Sequence, residues 1–256
     1  MVPAQQDNTT TVLMLSGGID SVYLLKKLLI ETNENIYAHH LHLINGEGKQ
    51  IERYKLESIA VRKVVPYMKK NFRDFHYTES TIDVKQIMNL LSMPKQMKKR
   101  NRESTIYFND NIYLYFVGAM LAKVTDAENL AFGNCLEDWE VTPNIPEDYT
   151  LENRQINIRE NILKAVSYPE KVPNANIYQA SSDVVSKRMQ IEKRPVDKST
   201  ELKIQLVSKK ENINYLGKEL MDMIWYCREP QKENGQIVIC NTCHSCLEVN
   251  NAMEIN

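Results

Sequence analysis

The stretch that most narrows what this chain can fold into is Val12-Leu13-Met14-Leu15-Ser16-Gly17-Gly18-Ile19-Asp20-Ser21, close to the N-terminus. Thr11 to Leu15 is a short apolar, partly β-branched run, the pattern of a strand covered on both faces in a parallel sheet. Gly17 and Gly18 follow, and without a Cβ the backbone there can turn sharply and come close to a ligand. Asp20 and Ser21 then open an amphipathic helix with Val22, Leu25, Leu28 and Leu29 at helical spacing. A strand, a tight turn and a helix start in this order aim free N–H groups and the positive end of a helix dipole at one point. Such a point attracts an anion. Ser16 and Ser21 add hydroxyl donors, and Asp20 is a candidate ligand for the Mg²⁺ of a nucleotide.

The stretch is neither a G-x-x-x-x-G-K-[ST] loop nor a G-x-G-x-x-G turn. Ser16-Gly17-Gly18-Ile19-Asp20-Ser21 resembles the S-G-G-x-D-S signature of the PP-loop ATP pyrophosphatases. That resemblance implies cleavage of ATP between the α- and β-phosphates and adenylation of a carbonyl or carboxylate oxygen.

Length and composition exclude several other classes. A chain of 256 residues can bury a sizeable core in one domain with a small appendage. A formal net charge of −1 argues against a nucleic-acid binder working by bulk charge. No apolar run reaches the roughly 18 residues that a membrane span needs. Residues 1–10 show neither a basic nor an apolar region of a signal peptide. Four of the five cysteines cluster late in the chain, which reads as a metal site in a reducing compartment rather than a disulfide framework. The expected location is the cytoplasm.

Taken in order, 36–44 reads as a second strand carrying His39, His40 and His42. Alternation places His40 and His42 on one face and His39 on the other. With no carboxylate beside them in sequence, packing or nucleotide-edge contacts are expected rather than a metal. Asn45-Gly46-Glu47-Gly48 forms a loop at the carboxyl end of that strand, where ligands of open α/β sheets collect. A long helix is expected over 50–70, with Pro66 as a candidate kink, and a third strand over 74–79. This alternation is the mark of a doubly wound parallel sheet, an α/β fold. The basic segment 92–106, with Lys98, Lys99, Arg100 and Arg102, reads as a solvated loop or as a lid that closes on phosphates.

The apolar helix expected over 112–123 (Tyr113, Phe116, Val117, Met120, Leu121) should be covered on most sides. Residues 129–133 read as a fourth strand ending at Gly133. An acidic, proline-containing loop with Cys135, Glu137 and Asp138 comes next, and then a helix over 152–166. The last core strand is expected over 189–193. Ser199 is expected to cap a helix running to about Ser208, with another helix over 214–223.

The tail carries Cys227, Cys240, Cys243 and Cys246 as C-x12-C-x2-C-x2-C. Zn²⁺ takes four soft ligands in a tetrahedron, and x2 spacing lets successive thiolates turn back onto one ion. Glu233-Asn234-Gly235 supplies a turn between the first two ligands, and His244 is a competing fourth ligand. The expected organisation is a PP-loop domain over 1–223 and a four-cysteine zinc segment over 224–256.

Loop and tail together resemble the 7-cyano-7-deazaguanine synthase (QueC/ExsB) family, whose late Trp-x-Cys and Cys-x-x-Cys-x-x-Cys read here as Trp225-Tyr226-Cys227 and Cys240 to Cys246. Asn111, the apolar helix after it, Gly133 and Asp138 fall where that family places its Asn, its small-residue helix, its Gly and its Asp. The resemblance implies ATP, Mg²⁺ and Zn²⁺, with ammonia or another amine attacking a carboxylated 7-deazaguanine that ATP has adenylated. It further implies nucleotide contacts at Leu15, Ser16, Gly17, Gly18, Asp20, Ser21, Leu41 and Gly133. Ser16, Asp20 and Ser21 are the expected catalytic positions, and Asn111, Asp138 and Lys198 the expected substrate side. A homodimer is also implied.

The departures lie between the two ends. The family's Pro-Gly-Arg-Asn reads Phe108-Asn109-Asp110-Asn111, its Gly-x-Asn reads Gly133-Asn134-Cys135, and its Ser-Lys pair is read at Ser199-Thr200 with Lys198 and Lys203 nearby. They leave open a relative that joins the heterocycle to an amine on a protein or nucleic acid, including one serving phage or antiphage defence. They also leave open a binding partner that keeps ATP without turnover. A tRNA thiolation or lysidine-type activity is disfavoured by the near-neutral charge.

Overall fold

The computed structural model describes residues 9–44, 50–84, 110–133, 176–178 and 208–254. In chain order these form β1 (Thr10–Met14), α1 (Ile19–Glu31), β2 (Asn35–Ile44), α2 (Gln50–Asn71), β3 (His76–Asp83), α3 (Asp110–Val124), β4 (Asn129–Phe132) and β5 (Asn176–Tyr178). Then come α4 (Lys209–Met221), β6 (Gln231–Glu233), β7 (Gln236–Val238) and α5 (His244–Glu254). The first five strands make one sheet in the order β3-β2-β1-β4-β5, every pair parallel. The strand order reverses between β1 and β4. In such sheets ligands bind in the crevice beyond the carboxyl ends of the two strands that flank the reversal.

β1 shows why the sheet is buried on both sides. Leu13 and Leu15 pack with Val22, Leu25 and Leu28 of α1, Val61, Val64 and Met68 of α2, and Leu216 and Leu220 of α4. Val12 and Met14 point the other way, into a cluster with Tyr113, Tyr115, Ala119 and Ala122 of α3 and with Leu130 and Phe132 of β4. This period-two split of an unbroken apolar run is what a strand covered by helices on both faces requires.

Several boundaries differ from the sequence expectation. β3 begins two residues later than position 74 and runs on to Asp83, because its register follows β2 to its end, from Tyr37↔His76 to Ile44↔Asp83. α2 continues as helix through Pro66. The strand outside β4 among the described residues is Asn176–Tyr178, while 189–193, the basic segment 92–106, the acidic loop after Gly133 and the helix over 152–166 lie outside the described residues. The helix expected from Ser199 lies outside the described residues up to position 207, and Ser208, its expected end, is extended backbone. Ser208 caps the start of α4 in a capping box, its hydroxyl accepting from Glu211 N–H and its own N–H donating to the Glu211 carboxylate. That helix then kinks at Gly217, which sits at φ 75°.

α3 is covered on most sides, as expected, and open along one stripe. Its middle approaches the sheet through Gly118, Ala119 and Ala122, and a Cβ at Gly118 would lie 2.9 Å from Leu130 Cδ1 and 3.1 Å from Met14 Cγ. Tyr113 and Tyr115 are buried on that side as well, and Phe116, Met120 and Val124 form an outer stripe, 51%, 44% and 79% exposed. Close approach to the sheet selects small residues for the middle of the inner face, and the helix is apolar all round without being buried all round.

Beside β1, the three histidines of β2 divide as alternation demands. His39 bonds to Thr78 and Ser80 hydroxyls at 2.8 Å on the α3 side. His40 and His42 lie on the α2 side, where both meet the Ser58 hydroxyl, at 3.0 and 2.8 Å, and His42 pairs with Glu79. The Nδ1–H of His40 donates to the carbonyl of Leu15 at 2.8 Å, and Leu15 N–H donates to the carbonyl of His39. Both peptide groups of the residue that precedes Ser16 are thereby fixed.

Burial holds His40 down to about 4, against the opposing pull of its bond to Leu15. The unfolded chain therefore binds more protons than the native one between pH 6.5 and 4. The stabilisation is complete above the unfolded value and is lost as pH falls through that window. The loss amounts to about 3 kcal/mol. His40→Gln should flatten the fall in urea midpoint between pH 7 and 4 relative to wild type. An identical pH profile in the variant would assign the acid sensitivity elsewhere.

Candidate active site and metal centre

The crevice at the strand reversal is formed by the residues that follow β1 and by the end of β4. Ser16 to Ser21 is knitted together by its own hydroxyls. Ser21 Oγ donates to Gly18 O at 3.1 Å and accepts from Ser16 N–H at 3.2 Å, and the two serine hydroxyls lie 2.9 Å apart. Gly18 N–H donates to Ser16 Oγ at 3.3 Å. Gly18 is the N-cap residue of α1, so no side chain caps that helix and its first N–H groups face the crevice. This arrangement suits an anion, which the helix dipole and the aligned N–H groups attract.

The glycines are required for different reasons. Gly17 sits at φ 85°, and a Cβ there would come 2.7 Å from Glu57 O and 2.9 Å from Val61 Cγ2, so both the turn and the packing of α2 demand it. Gly133 ends β4 directly against the start of α1. A Cβ on it would lie 2.3 Å from Ser21 N and 2.6 Å from Asp20 C. Gly133 was expected as a nucleotide contact, and the structure shows that its lack of a side chain lets β4 and the loop meet. Leu41, also expected at the nucleotide, has its side chain in the α3-side core, which leaves only its backbone for such a contact.

Asp20 does not stand alone in the first turn of α1. Lys209 Nζ lies 2.9 Å from its Oδ1 and 2.7 Å from its Oδ2, and Asn212 Nδ2 donates to Oδ1 at 2.8 Å. The Asn212 amide orientation follows, since only the NH₂ end can donate to a carboxylate. The Lys209 side chain is 8% exposed. Removing either member of such a buried pair costs about 3–5 kcal/mol, because it strands the other charge. Three of the acceptor positions of Asp20 are thus taken. Mg²⁺ at Asp20 would sit against an ammonium, so the donor set here does not fit a magnesium ligand.

Lys209 and Asn212 were not singled out in the sequence. The available signal was the Ser208-Lys209-Lys210-Glu211 capping pattern ahead of an amphipathic helix. Of the expected substrate-side residues, Asn111 lies at the start of α3, and Asp138 and Lys198 lie outside the described residues.

The second cluster is the cysteine tail. Tyr226 and Cys227 leave the core, β6 and β7 form a hairpin, and its two-residue turn is Asn234-Gly235 with both φ positive, at 50° and 80°. The chain then returns to Cys240. Asn241, at φ 57°, bends it so that the N–H groups of Thr242 and Cys243 donate to Cys240 Sγ at 3.5 and 3.2 Å. Cys240 N–H donates to Cys227 Sγ, and Arg228 N–H donates to Cys243 Sγ, each at 3.4 Å.

All four sulfurs lie within 4.8 Å of one another, with 3.5 Å for Cys227–Cys240, 3.8 Å for Cys240–Cys246 and 3.4 Å for Cys243–Cys246. A tetrahedral Zn²⁺ with bonds of about 2.3 Å places its sulfurs about 3.8 Å apart, so the set fits that ion. Burial raises the Cys227 and Cys246 thiols, whereas at Cys240 it is outweighed by the Thr242 and Cys243 N–H donors, which bring the thiol down to about 6. Those N–H donors mark the sulfurs as thiolate positions. His244 is 77% exposed and turns to Glu248, with 3.0 Å from Nδ1 to Oε1, outside the sulfur cluster.

Two outcomes check this geometry. Gly133→Ala should destabilise the fold by about 1–3 kcal/mol through overpacking against the backbone of α1, seen as a lower urea midpoint. An unchanged midpoint would mean that β4 and α1 have room to part. Cys243→Ser should reduce bound zinc, measured by elemental analysis of purified protein, and retention of wild-type zinc would remove Cys243 from the ligand set.

Among solved structures, the chain is similar to the U34-tRNA thiolase NcsA from Methanococcus maripaludis, solved with its [4Fe-4S] cluster. The identity is 14% and the TM-score 0.40, over 97% of this chain and 65% of the thiolase. It is also similar to the NH3-dependent NAD synthetase from Campylobacter jejuni subsp. jejuni in complex with nitrate ion, at 16% identity and a TM-score of 0.29, over 51% of this chain and 49% of the synthetase. This chain therefore spans less than two thirds of either protein. No curated protein matches it. The family model described as queuosine biosynthesis protein QueC matches residues 10–256, from β1 through the cysteine tail, and the chain belongs to that family.

Proposed function

We propose that the protein is an ATP-dependent adenylating enzyme acting on a carboxylate of a 7-deazaguanine-type heterocycle. The observation that carries the reading is the uncapped N-terminus of α1 behind the Ser16–Ser21 loop, set at the β1/β4 reversal by Gly133. Membership of the QueC family supports that class of substrate. A carboxylate oxygen attacks the α-phosphorus of ATP, a new P–O bond forms, and the bond to the β-phosphate oxygen breaks to release pyrophosphate. A nitrogen nucleophile, ammonia or another amine, then attacks the acyl carbon and AMP leaves with the carboxylate oxygen. Loss of water from the resulting amide would give the nitrile.

The residues of this chain contribute by position. Ser16, Gly18 and Ser21 hold the loop so that N–H groups meet the charge that develops on the phosphates, and nothing has to reorganise during the step. Lys209 and Asn212 keep Asp20 in place beneath them. Asn111, Asp138 and Lys198 remain assigned to the acceptor side. The four cysteines would hold Zn²⁺, which would supply folding energy to the tail rather than chemistry.

Purified protein with Mg·ATP should form AMP and pyrophosphate only when 7-carboxy-7-deazaguanine is present, with product mass reporting amide or nitrile after ammonia is added. Ser21→Ala should lower AMP formation by about 10- to 100-fold at unchanged zinc content. Absence of AMP with every carboxylate and amine offered would refute the enzyme reading. A mass gain on a protein added as amine donor would identify conjugation as the reaction.

A further inference from the structure

Two separate contacts join the cysteine tail to the phosphate loop. The N–H of Trp225 donates to the carbonyl of Gly17 at 3.3 Å, and the Trp225 indole N–H donates to Cys227 O at 2.8 Å. The chain between the loop contact and the first thiol is therefore held at both ends. The second contact runs through Lys209. Its ammonium faces Asp20 on one side and the Glu248 carboxylate, 4.0 Å away, on the other.

Glu248 sits in the first turns of α5, whose start is set by the cysteines. Cys243 precedes the helix, Cys246 lies in its first turn, and Leu247 N–H donates to Cys243 O at 3.0 Å. Whatever fixes the four sulfurs fixes Glu248. Val249, one residue on, is buried in the same core as Leu15 and Leu220, so α5 cannot shift without disturbing the floor of the loop.

We propose that Lys209 and Glu248 are positioning residues through which the metal-bound cysteine segment holds the Ser16–Ser21 loop in its anion-binding geometry. The proposal rests on the reading of that loop as an ATP site. The buried ammonium is shared by two carboxylates on elements that no local sequence connects. Moving Glu248 away changes how tightly Lys209 draws Asp20, and Asp20 lies between Gly18 and Ser21 in the loop. Metal and nucleotide are then linked, and linkage is reciprocal: a metal that tightens ATP binding is itself held more tightly by ATP, by the same factor.

The test uses the full-length protein and α,β-methylene-ATP, which the enzyme cannot split at the α,β bond. Calorimetric affinity is measured with Mg²⁺ before and after zinc is stripped, and zinc affinity by chelator competition is measured with and without the nucleotide. Zinc should tighten nucleotide binding about tenfold, and the nucleotide should tighten zinc by the same factor. Glu248→Gln keeps all four thiols and should keep one zinc per chain while shrinking both factors. The reciprocal effect on zinc separates positioning from a purely structural role. Should the stripped protein unfold by circular dichroism, the comparison of zinc-loaded Glu248→Gln with zinc-loaded wild type decides, through nucleotide affinity and through zinc affinity with and without nucleotide. Nucleotide binding indifferent to zinc and to Glu248→Gln overturns this proposal alone. Zinc-loaded wild type that binds no nucleotide overturns the ATP reading together with it.

Discussion

A lysine ammonium buried to the extent of Lys209 has to be matched by negative charge, and that requirement ties together parts of the chain that are far apart in sequence. Asp20 supplies both oxygens from the first turn of α1, and Glu248 stands behind it from α5. Desolvating these groups is unfavourable unless each finds its partner, so the pair specifies how α4 docks against α1 more than it adds net stability. Around it the apolar contacts of Leu216 and Leu220 with α1 and β1 provide the favourable free energy. The loop, α4 and the cysteine tail are thus held by one buried charge.

The geometry of the loop depends equally on two places where no side chain fits. At Gly17 the backbone has a positive φ and the α2 backbone lies against it, and at Gly133 the end of β4 lies against the backbone of Ser21. Gly18 is under neither constraint, since a Cβ there would meet nothing closer than 3.5 Å. Its φ of −84° suits any residue. What Gly18 offers is an N-cap without a competing side-chain acceptor, so the N–H groups of α1 remain for a ligand.

Much of this was legible locally. The apolar run of β1, the Gly-Gly turn, the Asn-Gly hairpin and the x2 spacing of the cysteines each state their geometry within a few residues, and the structure shows each of them. The parallel α/β fold followed from the alternation of strand and helix patterns. The pairing of Lys209 with Asp20 was not legible, because 189 residues separate the two and a lysine at a helix start is more often a solvated one. The place of the open stripe of α3 was not legible for a related reason: an all-round apolar helix does not reveal which of its sides lies close enough to the sheet to need Gly118, Ala119 and Ala122. The length of β3 was set by its neighbour β2, since its own polar residues alternate too weakly to mark an end.

The pairing of Asp20 also bears on how a motif with a carboxylate in it can attract a polyanion. A free carboxylate in the first turn of α1 would favour the helix dipole but repel phosphate oxygens arriving at the same N–H groups. With Lys209 on both its oxygens and Asn212 on one, the Asp20 carboxylate is paired within the protein. The field at the crevice is then left to the backbone N–H groups and the two serine hydroxyls. The aspartate of the motif acts here as the anchor of the loop, and the binding of anion falls to the groups that it holds in place. It follows that Asp20→Asn should be more damaging than loss of one hydrogen bond, because it leaves the Lys209 charge buried and poorly matched while the loop loses its anchor.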